Sequence, residues 1–271
     1  MLKDITIGQH FPGNSPVHKL DARLKIVLTV LFVVVLFMST NFAGLALSAV
    51  FVLSVYKLSG IPLKMLKKSI KPLMPLIFFT VVLNLFFITG ETPLFTIWKI
   101  SIYPEAVLFC IVMICRIIFL ICGTSLLTYT TSTIALTDGL EALMKPLNKI
   151  HFPVHEMAMM MTIALRFIPT LIEETDKIMN AQKSRGALLD SGTFTERIKA
   201  LIPILIPLFI SEFRRAEELA TAMECRCYHG GEGRTRLRQL KITNADIRNT
   251  VLCVVFFVVI LSTRLFFTRV I

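Results

Sequence analysis

Charge is scarce in this sequence. Only 17% of its 271 residues are charged and 55% are hydrophobic, whereas an ordinary soluble domain carries roughly a quarter charged residues. One globular core does not need that much apolar surface, so the bilayer is the expected solvent for part of the chain. The sequence also lacks a G-x-x-x-x-G-K-[ST] loop, which excludes nucleotide binding by that route. It has neither an H-E-x-x-H helix nor a G-x-S-x-G elbow, so zincin and hydrolase chemistry are not indicated. The six cysteines suggest no secreted disulfide framework. Cys110, Cys115, Cys122 and Cys253 lie in apolar runs, and only Cys225 and Cys227 lie in a charged stretch. No cleavable signal peptide is expected, because a long polar lead precedes the first apolar run.

The charge that is present is mostly basic. A net charge of +11 suggests nucleic acid in a soluble protein. In a membrane protein it reflects Lys and Arg gathered in cytoplasmic loops, and no nucleic-acid partner is expected here. The run from Ile26 to Tyr56 is free of charge for 31 residues, about 46 Å as one helix against a bilayer core of roughly 30 Å. Lys19, Arg23 and Lys25 precede it, and Lys57, Lys64, Lys67, Lys68 and Lys71 follow it. A single span would put these basic flanks on opposite sides of the membrane, whereas a hairpin turning at Ser39-Thr40-Asn41 keeps both inside. Further spans are expected over 73–89, 106–128 and 250–267. The reading is an all-α, multi-pass protein of the cell membrane with about five spans and a cytoplasmic N-terminus. Its parts are a membrane domain over 1–128, a cytoplasmic helical region over 129–248 and a last span over 249–271.

The middle region is different in kind. Residues 129–248 hold 16 Lys or Arg and 14 Asp or Glu, and their most apolar stretch, Ala200 to Ile210, has only 11 residues and two prolines. That length suits an interfacial helix rather than a crossing one. Leu165, Ile168, Ile172, Thr175 and Met179 recur at helical spacing, as do Ile198, Ile202, Leu205, Phe209 and Phe213. Each helix ends in a similar way. Ala181-Gln182-Lys183-Ser184-Arg185-Gly186 is echoed 41 residues later by Ala222-Met223-Glu224-Cys225-Arg226-Cys227. An Arg between small residues offers a planar five-donor fork at a tip that a partner can approach closely. The plainer reading is a helix C-cap, with Gly186 just past the end.

These motifs resemble those of the T component of energy-coupling factor (ECF) transporters, the CbiQ family. His18-Lys19-Leu20-Asp21-Ala22-Arg23-Leu24-Lys25 is similar to its H-x-L-D-P-R-x-K signature, with Ala22 in place of the commoner Pro. Leu165-Arg166-Phe167-Ile168-Pro169, Glu173 or Glu174, and Ala181-Gln182 resemble the run into its first Arg motif, here Ser184-Arg185-Gly186. The second motif is Cys225-Arg226-Cys227, where Cys replaces the final Gly. The resemblance implies a non-catalytic subunit that holds two ATP-binding-cassette ATPases through Arg185 and Arg226. It also implies a small substrate-binding S component for vitamin or metal uptake. No cofactor is implied for this chain, since ATP would be bound by the partners. A self-contained secondary transporter is the alternative.

Arg116 lies mid-span, where charge is costly and usually functional. Two readings stay open: a contact within the bundle or to the S component, or a structural Arg bonded to backbone carbonyls. Met157, Met159, Met160 and Met161 read as an adaptable apolar docking surface rather than as soft metal ligands. Cys225-x-Cys227-x-His229 offers three ligands where structural zinc takes four, so no metal is expected. Asp138, Glu141, His151 and His155 match no catalytic spacing.

Overall fold

The computed structural model describes residues 10–39, 41–88, 95–97, 100–150, 152–187, 193–230, 240 and 242–266. The described residues form two compact units, the first within 8–140 and 240–271 and the second within 141–239. Those of the first unit include 129–140, 240 and 242–248. At Gly139 a Cβ would lie 3.1 Å from that of Ala22, so the absence of a side chain lets the chain close onto α2.

The first unit opens with α1 (Pro16–Lys19), started by Ser15 as N-cap and Pro16 in the first turn. Asp21 caps α2 (Ala22–Met38), its carboxylate accepting from the Arg23 N–H at 2.9 Å. The turn at Ser39 and Asn41 leads into α3 (Phe42–Ser59), which ends at Gly60 with φ 72°. The expected hairpin is thus present. Then come α4 (Leu63–Ile70), a 3₁₀ turn at Lys71–Leu73, and α5 (Met74–Phe87). Two three-residue strands, β1 (Phe95–Ile97) and β2 (Ile100–Ile102), pair antiparallel with Thr96 opposite Ser101, a small addition to an otherwise helical chain. The long α6 (Pro104–Thr130), then α7 (Thr133–Met144), and finally α10 (Asn244–Phe266) complete the elements associated with this unit.

Among the described residues, four stretches are long and apolar enough to cross a membrane: Phe42–Ser59, Lys64–Phe87, Pro104–Thr130 and Asn244–Arg264. The fifth apolar helix, α2, has 17 residues, about 26 Å at 1.5 Å per residue, and falls short of that length. It packs against α6 and α10. Lys25 Nζ donates to the Thr130 carbonyl, and Arg116 donates to the Ser39 carbonyl. Since 14 residues separate the two contacts on each helix, α2 and α6 run antiparallel in register.

The core of this unit joins Leu28, Phe32, Val35 and Leu36 of α2 to Val52 and Tyr56 of α3, Val112 and Cys122 of α6, and Phe257 and Ile260 of α10. Phe32, Phe51, Phe256 and Phe257 form an aromatic cluster with ring centroids 5.0 to 6.0 Å apart. The Tyr56 hydroxyl donates to the Cys122 carbonyl at 2.9 Å, so this buried phenol is satisfied. A Cβ at Gly123 would meet the Phe32 ring at 2.6 Å, so glycine is what lets α6 seat against that ring.

Gly123→Leu is therefore expected to overpack the α2–α6 contact and destabilise the protein by about 1–3 kcal/mol. Thermal unfolding in detergent measures this, and an unchanged midpoint would refute the close-packing account.

Candidate functional site

The second unit contains the two longest helices, α8 (Val154–Ser184) and α9 (Phe194–Glu224). A capping box starts α9, with the Thr193 N–H donating to the Glu196 carboxylate at 2.8 Å. Three cross-helix contacts set the pairing. Gln182 Nε2 donates to the Pro203 carbonyl at 3.3 Å, Ser211 donates to Glu174, and Arg215 donates to Thr170 at 3.3 Å. As numbering falls along α8 it rises by the same amount along α9, so the pair is an antiparallel hairpin. Arg215 also donates to Glu174 and to Glu212, each at 2.8 Å. The Ser211 hydroxyl first, and then the Arg215 guanidinium, hold the Glu174 carboxyl below its ordinary pKa. Of the two candidate glutamates, Glu174 is thus the one that ties the helices together, while Glu173 is exposed.

Both helices continue through internal prolines, Pro169 in α8 and Pro203 and Pro207 in α9. Pro207 has no N–H to give to the carbonyl four residues earlier. That carbonyl belongs to Pro203, and the Gln182 amide bonds to it. The Gln182 side chain thus supplies, from the neighbouring helix, a donor that the proline spacing removed.

The two Arg tips have the same backbone geometry. In the first, the Gly186 N–H bonds to the Lys183 carbonyl and the Ala187 N–H to that of Gln182, both at 3.0 Å. In the second, the Cys227 N–H bonds to Glu224 at 2.8 Å and the Tyr228 N–H to Met223 at 3.1 Å. Each is a Schellman cap. Gly186 sits at φ 87° and Cys227 at φ 55°, so Cys227 keeps the left-handed conformation despite the loss of Gly. Arg185 and Arg226 each come just before the left-handed residue. The cap accounts for that conformation but does not require an Arg. Ser184, Arg185, Gly186, Cys225, Arg226 and Cys227 are all exposed. Neither guanidinium has an ion-pair or hydrogen-bond partner among the described residues. In an antiparallel hairpin the C-terminal ends point in opposite directions. Extending the register brings Arg226 near the level of Met159, so the two tips lie about 40 Å apart along the axis.

The hairpin also carries unburied apolar surface. Ile198, Ile202, Leu205, Phe209 and Phe213 are all exposed, Phe213 at 68%. Met160 and Met161 are exposed, and Met157 is half-buried. Arg116 belongs to the first unit, on α6, where its guanidinium donates to the Ser39 carbonyl at 2.9 Å. The structure thus shows it bonded to backbone at the C-terminal end of α2, where a cation also complements the helix dipole. No group of three His, Cys, Asp or Glu side chains suited to a metal occurs among the described residues. His155 Nδ1 and Glu141 pair at 3.1 Å, whereas His151 lies outside the described residues.

The N-terminal signature makes local and long-range bonds. His18 hydrogen-bonds through Nε2 to the Phe11 carbonyl at 2.9 Å and through Nδ1 to the Ser15 hydroxyl at 2.7 Å. The Lys25 ammonium, on a buried residue, donates to the His18 carbonyl, the Thr130 carbonyl and the Thr131 hydroxyl at 3.0, 2.8 and 3.3 Å. Arg23 donates to the Leu240 carbonyl at 3.4 Å.

Comparison with known proteins bears on the family alone. The model of the CbiQ family, described as a cobalt transport protein, matches residues 13–237. The chain is 54% identical over 246 residues to the energy-coupling factor transporter transmembrane protein EcfT of Thermosediminibacter oceani, covering 91% of this chain and 92% of that one. It is 50% identical to the protein of that name from Clostridium kluyveri, over 99% of this chain and the whole of the relative. The Bacillus subtilis protein of that name is 45% identical, again over 99% of this chain and its own full length.

Two stability predictions follow from the hairpin and its caps. Gln182→Ala is expected to cost about 0.5–1.5 kcal/mol, the net worth of one hydrogen bond whose exposed carbonyl turns to water instead. In a Pro207→Ala background, where the helix N–H is restored, the same change should cost markedly less; equal costs in a double-mutant cycle would refute the link. At the second tip, Cys227→Val places a β-branched residue in the left-handed region and should weaken the cap by about 1–2 kcal/mol. Cys227→Gly should leave the cap intact. Amide exchange at residues 227 and 228, which carry the cap bonds, reads both, and equal protection in the two variants would exclude backbone strain as the cause.

Proposed function

The chain belongs to the CbiQ family of cobalt transport proteins, and on that premise we propose that it is the non-catalytic coupling subunit of an ATP-driven ECF importer. In this reading Arg185 and Arg226 each dock on one ATP-binding-cassette ATPase subunit. The observation that carries it is the pair of Schellman-capped tips at opposite ends of one antiparallel hairpin, each with an exposed guanidinium that has no partner among the described residues. Opposite ends suit two separate sockets, and the Glu174–Arg215–Ser211 and Gln182–Pro203 contacts make the hairpin one lever between them. Closure of the ATPases would then act on both ends together.

The exposed apolar stripe of α9 and the Met160–Met161 surface of α8 are assigned to an S component that binds the vitamin or metal. An apolar face left exposed among the described residues, with Phe on α9 and Met on α8, has the composition of a contact surface. The basic end of the membrane unit, with the N-terminus, faces the cytoplasm in this scheme by the positive-inside rule.

The test is purification of the tagged chain from detergent-solubilised membranes, comparing wild type with Arg185→Ala/Arg226→Ala. Two ATPase subunits are expected with wild type. Loss of one desolvated, hydrogen-bonded Arg costs roughly 2–5 kcal/mol of binding, and the double variant should lose more than either single one. Size-exclusion behaviour and helical content establish that the variant is folded. If the wild-type chain purifies alone and still transports, the coupling role is wrong and a self-contained transporter takes its place.

A further inference from the structure

The lysines that follow α3 have no role in the coupling scheme. Lys64, Lys67, Lys68 and Lys71 fall at i, i+3, i+4 and i+7 through α4 and the 3₁₀ turn after it. That spacing puts four like charges on one helical face. Met65, Leu66 and Ile70 point the other way and pack against the bundle core. The Ser69 hydroxyl lies 2.5 Å from the Tyr129 hydroxyl, which also donates to the Met65 carbonyl at 3.3 Å. These contacts hold α4 against the end of α6 where Lys25 is also bound, with the lysine face outward. All four lysines are exposed, as is Lys57 at the end of α3.

No Asp or Glu occurs anywhere in residues 22–90. None of the five lysines has an ion pair or a hydrogen-bonded partner among the described residues. Like charges at i,i+4 destabilise a helix, and α4 is only eight residues long. The bundle holds the helix in place against that repulsion, which leaves the face suited to an anionic partner.

The helix that continues from α4 indicates which partner. Only a 3₁₀ turn separates it from α5, and Lys64–Phe87 together form one candidate membrane crossing. Ile77 is the one buried residue of α5, while Phe78 and Phe87 are 71% and 79% exposed. A helix with so much bare apolar surface is solvated by acyl chains, and this sets the depth of the lysines at its end. They lie where the headgroups begin, the position at which basic segments bind anionic lipid.

We propose that the Lys64–Lys67–Lys68–Lys71 face is a binding site for the headgroups of anionic phospholipids, which supply the counter-charge that α4 lacks. The site rests on the membrane-crossing fold and not on the coupling role, so loss of the ATPase contact in the preceding experiment would leave it standing.

The test uses the full wild-type chain in nanodiscs of phosphatidylcholine alone or mixed with phosphatidylglycerol. A lysine-reactive acetylating reagent is applied, and the extent of modification at each lysine is read by mass spectrometry. Protection of Lys64, Lys67, Lys68 and Lys71 by roughly fivefold or more is expected with phosphatidylglycerol, fading at high salt. Lys145 and Lys149, exposed in the other unit, serve as references and should change far less. Equal labelling of the α4 lysines in the two lipids would overturn the proposal. Protection that arises only when ATPase subunits are added would also overturn it, in favour of an acidic protein surface. Retained lipid measured by native mass spectrometry gives a second reading. Lys64→Gln/Lys67→Gln/Lys68→Gln/Lys71→Gln should lose about tenfold or more of the phosphatidylglycerol preference, while the corresponding four Lys→Arg changes keep it. An unchanged preference in the folded Gln variant would assign the lipid to another site.

Discussion

A buried ammonium group ties the membrane unit together. Lys25 has almost no contact with solvent, and its three protons go to three oxygens from two separate parts of the chain: the end of α1, and the last carbonyl of α6 with the hydroxyl that follows it. A charge in such a place is tolerated only when it is fully hydrogen-bonded. Asp21 and Asp246 act on it electrostatically from the starts of α2 and α10. The bonds work in both directions. They satisfy carbonyls that the helix ends would otherwise leave open, and they bring four elements to one level. The antiparallel register of α2 and α6 starts there, and Arg116 holds its other end through the Ser39 carbonyl. The aromatic cluster and the close approach at Gly123 lie between those two cations.

The hairpin of α8 and α9 is held by different means. Its apolar residues are largely exposed, so polar contacts define how the helices pair. Glu174 with Ser211 and Arg215, and Gln182 with Pro203, all occupy one register. Pro207, which has no N–H, leaves the carbonyl four residues earlier without its helix donor, and here that open carbonyl becomes the attachment point for the other helix. The same economy appears at the tips. A Schellman cap closes each helix with backbone bonds alone, which leaves the Arg side chains free for a partner. The cap reading and the docking reading of these motifs are therefore compatible, because one uses the backbone and the other uses the side chain.

Much of this was legible from residue order. The charge-free run from Ile26, bounded by lysines on both sides, implied the α2–α3 hairpin, and the basic end of the bundle agrees with it. The echo between Ser184-Arg185-Gly186 and Cys225-Arg226-Cys227 implied two similar tips, although replacement of Gly by Cys left the backbone of the second open. Other features gave little signal. The three-residue strands β1 and β2 are too short for a period to register. The close seating of α7 on α2 depends on Gly139 meeting Ala22, a contact between residues far apart in sequence. The roles of Gln182 and Glu174 depend on which residue of α9 stands opposite each.

The sequence by itself determined what local chemistry and hydrophobic extent can determine: a membrane protein, its helical segments, the turn at Ser39 to Asn41, the amphipathic region before the last helix, and the paired Arg motifs. Those properties belong to segments, and a segment's hydrophobicity and end residues act over a few turns of helix. Only the tertiary structure decided which glutamate joins α8 to α9, that Gln182 answers the carbonyl opened by Pro207, that Cys227 takes a left-handed backbone, and that Arg116 bonds to the end of α2. Each depends on the register between helices distant in sequence or on the geometry of one backbone angle, and neither is written in the order of residues along a single segment.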